Sequence, residues 1–264
     1  MIYKLISISL FILSSINKCQ NENVSIKSID SKNITISIDS NLVDKNTSNV
    51  EDTSSLISTD IKADYPYSLY FNEAYERYPN IPRGVLEAIG FINTRLNHRN
   101  NTNESCTGLP QTYGVMGLML DGNGYFKNNL ISISELSGIS IENIKNNPKD
   151  NILAFASAYS SIKEKKGIIT ISPMNDVPII IELSEIPSIV GESDYPLNSH
   201  VYSVLKFLSE TDNQIKYKFP NWKIDFIQVF GKINYEILSS PFLKRQGNTY
   251  VNENGTKYIN NYNK

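Results

Sequence analysis

The stretch "PRGVLEAIGFINTRL", residues 82–96, predicts a helix that buries one face. Pro82 stands at a first-turn position, where proline is favoured because its missing N–H has no intrahelical partner to lose. Apolar side chains then recur at the spacing of one helical face. They are Val85, Leu86, Ile89, Ile92 and Leu96. The periodicity places this segment in a helical core.

The segments around it predict more helices. "YSLYFNEAYERYP" (67–79) has Leu69, Tyr70, Ala74 and Tyr78 at helical spacing. A helix is expected around 133–136 or 141–144, and another over 151–162, with Pro148 and Asp150 ahead of it as stop and cap. "PLNSHVYSVLKFL" (196–208) again has apolar residues on one helical face: Val201, Val204, Leu205 and Leu208.

Residues 166–264 lack the regular helical periodicity of the preceding domain over much of their length. "GIITISPMNDVPIIIELSEIP" (167–187) is typical of short strands or of a buried apolar segment, and "NENGTKYINNYNK" (252–264) is polar and expected to be loose. The expected fold class is therefore mainly α, with a helical domain over 64–165 and a smaller mixed region over 166–264.

The N-terminus predicts export. "MIYKLISISLFILSS" carries one lysine before an apolar run that suits a signal peptide and is too short to span a bilayer. Cys19 stands where a lipoprotein carries its lipidated cysteine, although Lys18 replaces the usual small residue. Lipidation, ordinary cleavage and an uncut anchor all stay open. Residues 20–63 are rich in Ser, Asn and Asp and predict a disordered linker behind the signal region of 1–19.

Charge and cysteine content exclude several classes of protein. The 264 residues carry a formal net charge of -2, and Lys and Arg are spread along the chain, which argues against nucleic-acid binding. Only Cys19 and Cys106 are present, so no disulfide framework is expected. Cys106 is interpreted as a small buried hydrophobe or, as a minor alternative, as a peptidase nucleophile with His200 as its base.

Three ordered motifs carry a resemblance to a known fold. They are "GVLEAIGFINTR", a loop with Glu-Ser followed by "GVMGLM", and Pro-x-x-Asn-Ile opening a later helix. Together they resemble the lysozyme-like domain of lytic transglycosylases and goose-type lysozymes. Residues 67–159 resemble still more closely the region ahead of the amidase domain in certain Bacteroidetes N-acetylmuramoyl-L-alanine amidases. The resemblance implies an exported envelope protein whose partner is the glycan strand of peptidoglycan.

The resemblance also implies one catalytic glutamate, because cleavage of a sugar–sugar bond needs a carboxylic acid near the leaving oxygen. In the family pattern a Glu-Ser pair ends the first helix, where this chain has Asn93 and Thr94. Glu104-Ser105 comes later, in the loop. Glu104 lies 13 residues before Gly117 and Asn93 lies 24 before it, against about 15 implied by the resemblance. The number of residues to Gly117 favours Glu104 as the equivalent of the catalytic glutamate, whereas the position at a helix end favours Asn93.

Other candidate site residues follow from the same motifs. We expect a substrate groove lined by Asn93, Ser105, Tyr113, Gly114, Gly117, Met119, Asn151 and Tyr159. Core packing and helix capping are the alternatives for Asn151 and Tyr159. Leu120 replaces a glutamine of the family pattern, which removes an amide expected to bind sugar or loop. Glu87 is interpreted as a solvated or helix-capping charge.

A resident zinc amidase is not expected. Such a site needs at least two histidines and a further ligand around an open coordination position, and the chain has only His98 and His200, outside any zinc motif. No metal or cofactor is predicted. Two functions remain: a lytic glycosidase of transglycosylase or lysozyme type that uses Glu104, and a catalytically degenerate peptidoglycan-binding module. The sequence gives no oligomeric state.

Overall fold

The computed structural model describes residues 64–100, 110–122, 124–187, 195–246 and 249–259. Helices make up most of these residues, and the few strands are short, so the predicted mainly α class is confirmed. The predicted signal region and linker lie outside the described residues. So do Glu104, Ser105 and Cys106, which belong to 101–109.

The first two helices pack into the core through aliphatic and aromatic side chains. Helix α1 is Ser68–Arg77 and helix α2 is Val85–Thr94. Helix α1 turns Phe71 and Tyr75 inward, whereas Leu69, predicted on the buried face, is 42% exposed. The prediction was wrong there because aromatic residues occupy both faces of this helix, so periodicity does not select one.

Helix α2 follows its predicted face closely. Val85, Leu86 and Ile89 are all buried. The helix ends at Thr94 because Arg95 and Leu96 adopt left-handed backbone, with φ of 58° and 57°.

A short hairpin follows. Strand β1 (Thr112–Tyr113) pairs antiparallel with strand β2 (Leu118–Met119), with Thr112 opposite Met119. Residues 114–117 form the turn between the strands. Gly114 and Gly117 have φ of +72° and +67°, which glycine adopts without steric cost.

Three helices come next along the chain: α3 (Asn129–Ser137), α4 (Ile141–Asn146) and α5 (Pro148–Lys165). Both regions predicted as alternatives for one helix are therefore helical. Helix α5 begins at Pro148 itself. Its cap is Asn147, whose side chain accepts from the backbone N–H of Lys149 and Asp150, so the prediction of Asp150 as the cap was wrong.

Beyond α5, the strands that were one alternative for 167–187 do not form. Helix α6 (Val177–Leu183) lies there and buries Ile179, Ile180 and Leu183, which confirms the other alternative, a buried apolar segment. The predicted helix over 196–208 is confirmed as α7 (Tyr195–Ser209). Shorter helices follow: α8 (Thr211–Tyr217), α9 (Phe226–Phe230) and α10 (Lys232–Leu238).

A buried ion pair connects α5 to α6. The Lys163 ammonium lies 2.8 and 2.6 Å from the two carboxylate oxygens of Asp176, and both side chains are 0% exposed. The Tyr159 hydroxyl donates to the same carboxylate at 2.9 Å. Burial raises the pKa of Asp176, and the ammonium opposes that shift. Asp176 therefore depends on its partners to stay ionised inside the protein.

The chain ends in a small antiparallel sheet. Its strands are β3 (Leu243–Gln246), β4 (Thr249–Asn252) and β5 (Lys257–Ile259), in that order. Leu243 lies opposite Asn252, and Thr249 lies opposite Ile259. Part of the tail predicted to be loose is thus a strand, because the turn around Gly255 lets it pair with β4.

One hydrophobic core joins the predicted helical domain to the region after it. The buried cluster runs from Tyr65 to Phe230. The rings of Phe91 on α2 and Phe207 on α7 are 5.1 Å apart, and the Trp222 indole N–H donates to the Arg83 carbonyl at 2.8 Å. The predicted boundary between 165 and 166 therefore does not divide two cores. Among the described helices, none is both long and apolar enough to span a bilayer.

Candidate functional site

The end of α2 lies directly against the hairpin turn. The Asn93 side-chain amide donates to the Met116 carbonyl at 2.9 Å, and the Thr94 hydroxyl lies 2.6 Å from the Val115 carbonyl. A Cβ atom at Gly117 would lie only 2.7 Å from the Cβ of Asn93. Asn93 and Thr94 thus hold the turn by hydrogen bonds and close contact.

Asn151 holds the same turn from the other side. Its side-chain oxygen accepts from the Met116 N–H at 2.8 Å, and its amide donates to the Ile144 carbonyl at 3.1 Å. A Cβ at Gly114 would lie 1.9 Å from this amide. Asn151 is 0% exposed, so it follows the core-packing alternative and does not line a groove in this structure. It is a buried connector between α5, α4 and the turn.

Two further residues predicted in the groove are buried. Tyr159 has its ring in the core and its hydroxyl on Asp176, so it cannot touch a substrate. Met119 also packs inside, while its N–H donates to the Asn129 side chain at 2.7 Å. Tyr159 therefore follows the core-packing alternative, whereas the groove position predicted for Met119 was wrong, because both strand residues Leu118 and Met119 are buried. Gly114 and Gly117 are likewise buried, and their missing side chains make room for Asn151 and Asn93.

Tyr113 keeps an accessible surface beside the hairpin. It is half-buried, its hydroxyl donates to the Gln111 side chain at 2.8 Å, and the Lys145 ammonium lies 4.6 Å from its ring centroid. Leu120 is also half-buried and packs on the core. Of the predicted binding residues that the structure describes, Asn93 and Tyr113 are the ones with exposed side-chain surface.

The segment that carries Glu104 begins and ends beside this hairpin. The Arg99 N–H donates to the Gly114 carbonyl at 3.3 Å, and the Gly114 N–H donates back to the Arg99 carbonyl at 2.7 Å. This bridge fixes residues 99 and 114 next to each other. The predicted acid, Glu104, and its neighbour Ser105 belong to the chain between them.

Glu87 is a buried acid that the sequence did not reveal. It is 2% exposed, and its carboxylate accepts from the hydroxyls of Tyr65 at 2.8 Å and Tyr75 at 2.5 Å. Burial raises its pKa, while the two phenols oppose the shift. The interpretation as a solvated charge was wrong. The available signal was the unbroken apolar run around it, "VLEAIG", which leaves no solvent face at that turn.

The chain has two histidines, and the pairing of His200 with Cys106 stays a prediction because Cys106 lies outside the described residues. His98 follows the end of α2, and burial lowers the pKa of its ring, which favours the neutral form. His200 lies on α7, where burial also lowers the pKa of the ring and the Glu185 carboxylate opposes the shift. No cluster of three potential metal ligands occurs in the described part of the chain.

Comparison of the chain with protein-family models, with curated proteins and with solved structures found no match. The features that bear on function are therefore the sequence motifs and the geometry around the hairpin.

Loss of the Thr94 hydroxyl is expected to weaken the attachment of the hairpin turn to the end of α2. Thr94→Val keeps the shape of the side chain but leaves the buried Val115 carbonyl without this donor, which should lower the free energy of unfolding by about 1–2 kcal/mol. Urea denaturation followed by circular dichroism measures the change. Thr170→Val, at an exposed threonine, is the control and should change it by less than about 0.5 kcal/mol. Equal effects of both variants would contradict the role assigned to Thr94.

Proposed function

We propose that this protein binds the glycan strands of peptidoglycan in the bacterial cell envelope without cleaving them. The observation that carries the proposal is the use made of Asn93 and Thr94. They occupy the helix end where the resemblance implies the acid and its neighbour, and both are engaged in holding the hairpin turn.

The chemistry of the amide supports binding over cleavage. General-acid catalysis needs a proton that can be given to the leaving oxygen, and the Asn93 amide has none to give at ordinary pH. The same amide can still form hydrogen bonds with sugar hydroxyls through the part of the side chain that stays exposed. A helix end of this kind can keep the shape of a glycan site while lacking its acid.

Tyr113 is the proposed stacking residue. Its partly exposed aromatic ring offers an apolar face of the kind that packs on a sugar ring, and Gln111 and Lys145 beside it supply polar groups for hydroxyls and carboxylates. Export and attachment through a lipidated Cys19 would place this surface next to the cell wall, at the end of the linker 20–63.

Glycan cleavage by Glu104 is a second candidate function. It is favoured by the bridge between Arg99 and Gly114, which brings both ends of the segment carrying Glu104 to the hairpin. An acid delivered from this segment could compensate for Asn93.

The test uses the chain from residue 20 onward and purified peptidoglycan. We expect the protein to sediment with the wall material and to release no new muropeptides, either as wild type or as Glu104→Gln. Tyr113→Ala should lower the apparent affinity for the wall material on the order of tenfold. The control is Tyr70→Ala, which changes a half-buried tyrosine on α1 and should leave that affinity unchanged.

Other outcomes decide against the proposal. Anhydro-muropeptides that disappear in Glu104→Gln would establish a transglycosylase, and reducing-end products that disappear in it would establish a lysozyme. Failure to sediment, with no products, would remove both candidate functions.

A further inference from the structure

A small polar cavity lies over Glu87, away from the hairpin. Its volume is about 30 Å³, and since one water needs roughly 10–15 Å³ it has room for about two. Side chains of opposite charge and several aromatic rings line it. They are Asp64, Tyr65, Asn72, Tyr75, Arg83, Glu87, Tyr217, Lys218 and Phe219. Glu87 is the most deeply buried acid of this set.

The hydrogen bond from Tyr75 to Glu87 has a fixed direction. The Tyr75 oxygen accepts from the Gly84 N–H at 2.8 Å and from the Leu86 N–H at 3.1 Å. A phenol oxygen has two lone pairs, so both are used, and its own proton must be donated to Glu87. One carboxylate oxygen is therefore always an acceptor.

The hydrogen bond to Tyr65 can run in either direction. Ionised Glu87 accepts the Tyr65 proton at the observed 2.8 Å. Neutral Glu87 can donate a hydrogen bond to the Tyr65 oxygen over the same distance. The Tyr65 hydroxyl can then donate its own hydrogen bond to water in the cavity. Glu87 can thus bind a proton without losing either phenol partner.

The charged groups around Glu87 come from three parts of the chain. Arg83, just before α2, lies 5.3 Å above the Tyr75 ring and favours the ionised acid. Asp64, at the start of the described chain, forms an ion pair with Lys218, after α8, at 2.7 Å, so their charges largely offset each other. The tyrosines are neutral donors. Burial is the largest influence, and it favours the neutral form of Glu87.

Tyr65 covers Glu87 and is the second residue of the described chain; it is 8% exposed, and its ring packs on the rings of Phe71 and Tyr217. Its carbonyl accepts from the Ser68 N–H at 3.1 Å, and its ring meets the Tyr217 ring edge-on at 4.9 Å. If Tyr65 moves away, water reaches Glu87 through the cavity. A charged carboxylate gains far more from that hydration than a neutral one.

We propose that Glu87 and Tyr65 form a proton-linked latch that closes the first residues of the fold as the pH falls and favours their opening as the pH rises. The latch lies beside the predicted linker, so it would set how firmly the chain entering the domain is held. This role is independent of the proposed glycan binding.

The direction of the effect follows from the two states. In the closed state, burial raises the pKa of Glu87 above its ordinary value. When Tyr65 moves away, water reaches the carboxylate and the pKa returns to that ordinary value. Between those two values, closing takes up a proton, so the closed-to-open ratio should rise by up to tenfold for each unit of falling pH. Below the ordinary value the ratio should level off.

Two measurements test the latch in the chain from residue 20 onward. Carbon-13 NMR should show the Glu87 carboxyl titrating above the ordinary range of glutamate. Hydrogen exchange of the Ser68 amide, corrected for its intrinsic pH dependence, should slow as the pH falls through that window. In Glu87→Gln the side-chain N–H can donate to Tyr65 while the side-chain oxygen accepts from Tyr75. The protection of the Ser68 amide should therefore stay high and should not change with pH.

Tyr65→Phe is the second variant. It keeps the ring contact with Tyr217 but removes the hydroxyl on Glu87, so the Ser68 amide should be less protected than in wild type at low pH. An ordinary or lowered Glu87 titration would overturn the proposal, as would matching pH profiles of wild type and Glu87→Gln. If Glu87→Gln does not fold, the pH profile of Ser68 amide protection in the wild type and in Tyr65→Phe decides, and a wild-type profile that does not change with pH overturns the proposal.

Discussion

Gly114→Ala should lower the free energy of unfolding by about 3–5 kcal/mol and displace the hairpin turn. Left-handed backbone costs a residue with a Cβ about 1–2 kcal/mol, and Gly114 has φ of +72°. The new methyl group would also lie 1.9 Å from the Asn151 amide nitrogen, far shorter than a van der Waals contact. Asn151 would have to move and give up its buried hydrogen bonds, each of which costs about 1–3 kcal/mol to leave unmade.

Urea denaturation of wild type and variant measures this effect. Gly122→Ala is the matched control, because an added Cβ there meets no atom within 4 Å. It should change stability by less than about 1 kcal/mol, in either direction. A loss in Gly114→Ala no larger than in this control would mean that Asn151 does not pack under the turn as described.

Lys163→Met should be comparably severe. It removes the cation from a pair in which both side chains are 0% exposed, leaving Asp176 buried with Tyr159 as its remaining side-chain donor. Removing one partner of a buried pair costs about 3–5 kcal/mol. Since burial already raises the pKa of Asp176, loss of the ammonium should raise it further, and the variant should regain part of its stability as the pH falls and Asp176 becomes protonated.

Two control variants distinguish the effect of leaving Asp176 buried without its cation from the effect of removing any lysine. Lys149→Met breaks the exposed pair between Lys149 and Glu73, 3.0 Å apart, and should cost less than about 1 kcal/mol. The double variant Lys163→Met with Asp176→Leu removes both charges and should recover much of the loss. A single variant as stable as wild type at neutral pH would show that Asp176 does not need the ammonium.

The helices that could be predicted from the sequence are those with one clear apolar face. Helix α7 buries the aliphatic residues that periodicity selected because solvent and core lie on opposite sides of it, whereas α2 buries Val85, Leu86 and Ile89 because most of its surface is covered. Helix α6 was left open between strand and buried segment because its β-branched isoleucines are also typical of strands. Pro178 in its first turn was the signal that favours a helix.

The candidate site was less accessible to sequence reasoning. The motifs placed Asn93, Gly114 and Gly117 in one predicted groove, but they could not decide whether Asn151 and Tyr159 face a groove or the core. Glu87 was misjudged because its partner Tyr65 is 22 residues away, and nothing in local periodicity shows that two phenols converge on one carboxylate.

The shared core also constrains how the chain acquires its structure during synthesis. The ribosome makes Phe91 long before Phe207, the ring that covers it. Until α7 has emerged, the apolar face of α2 stays open to chaperones, and the early helices cannot complete their packing.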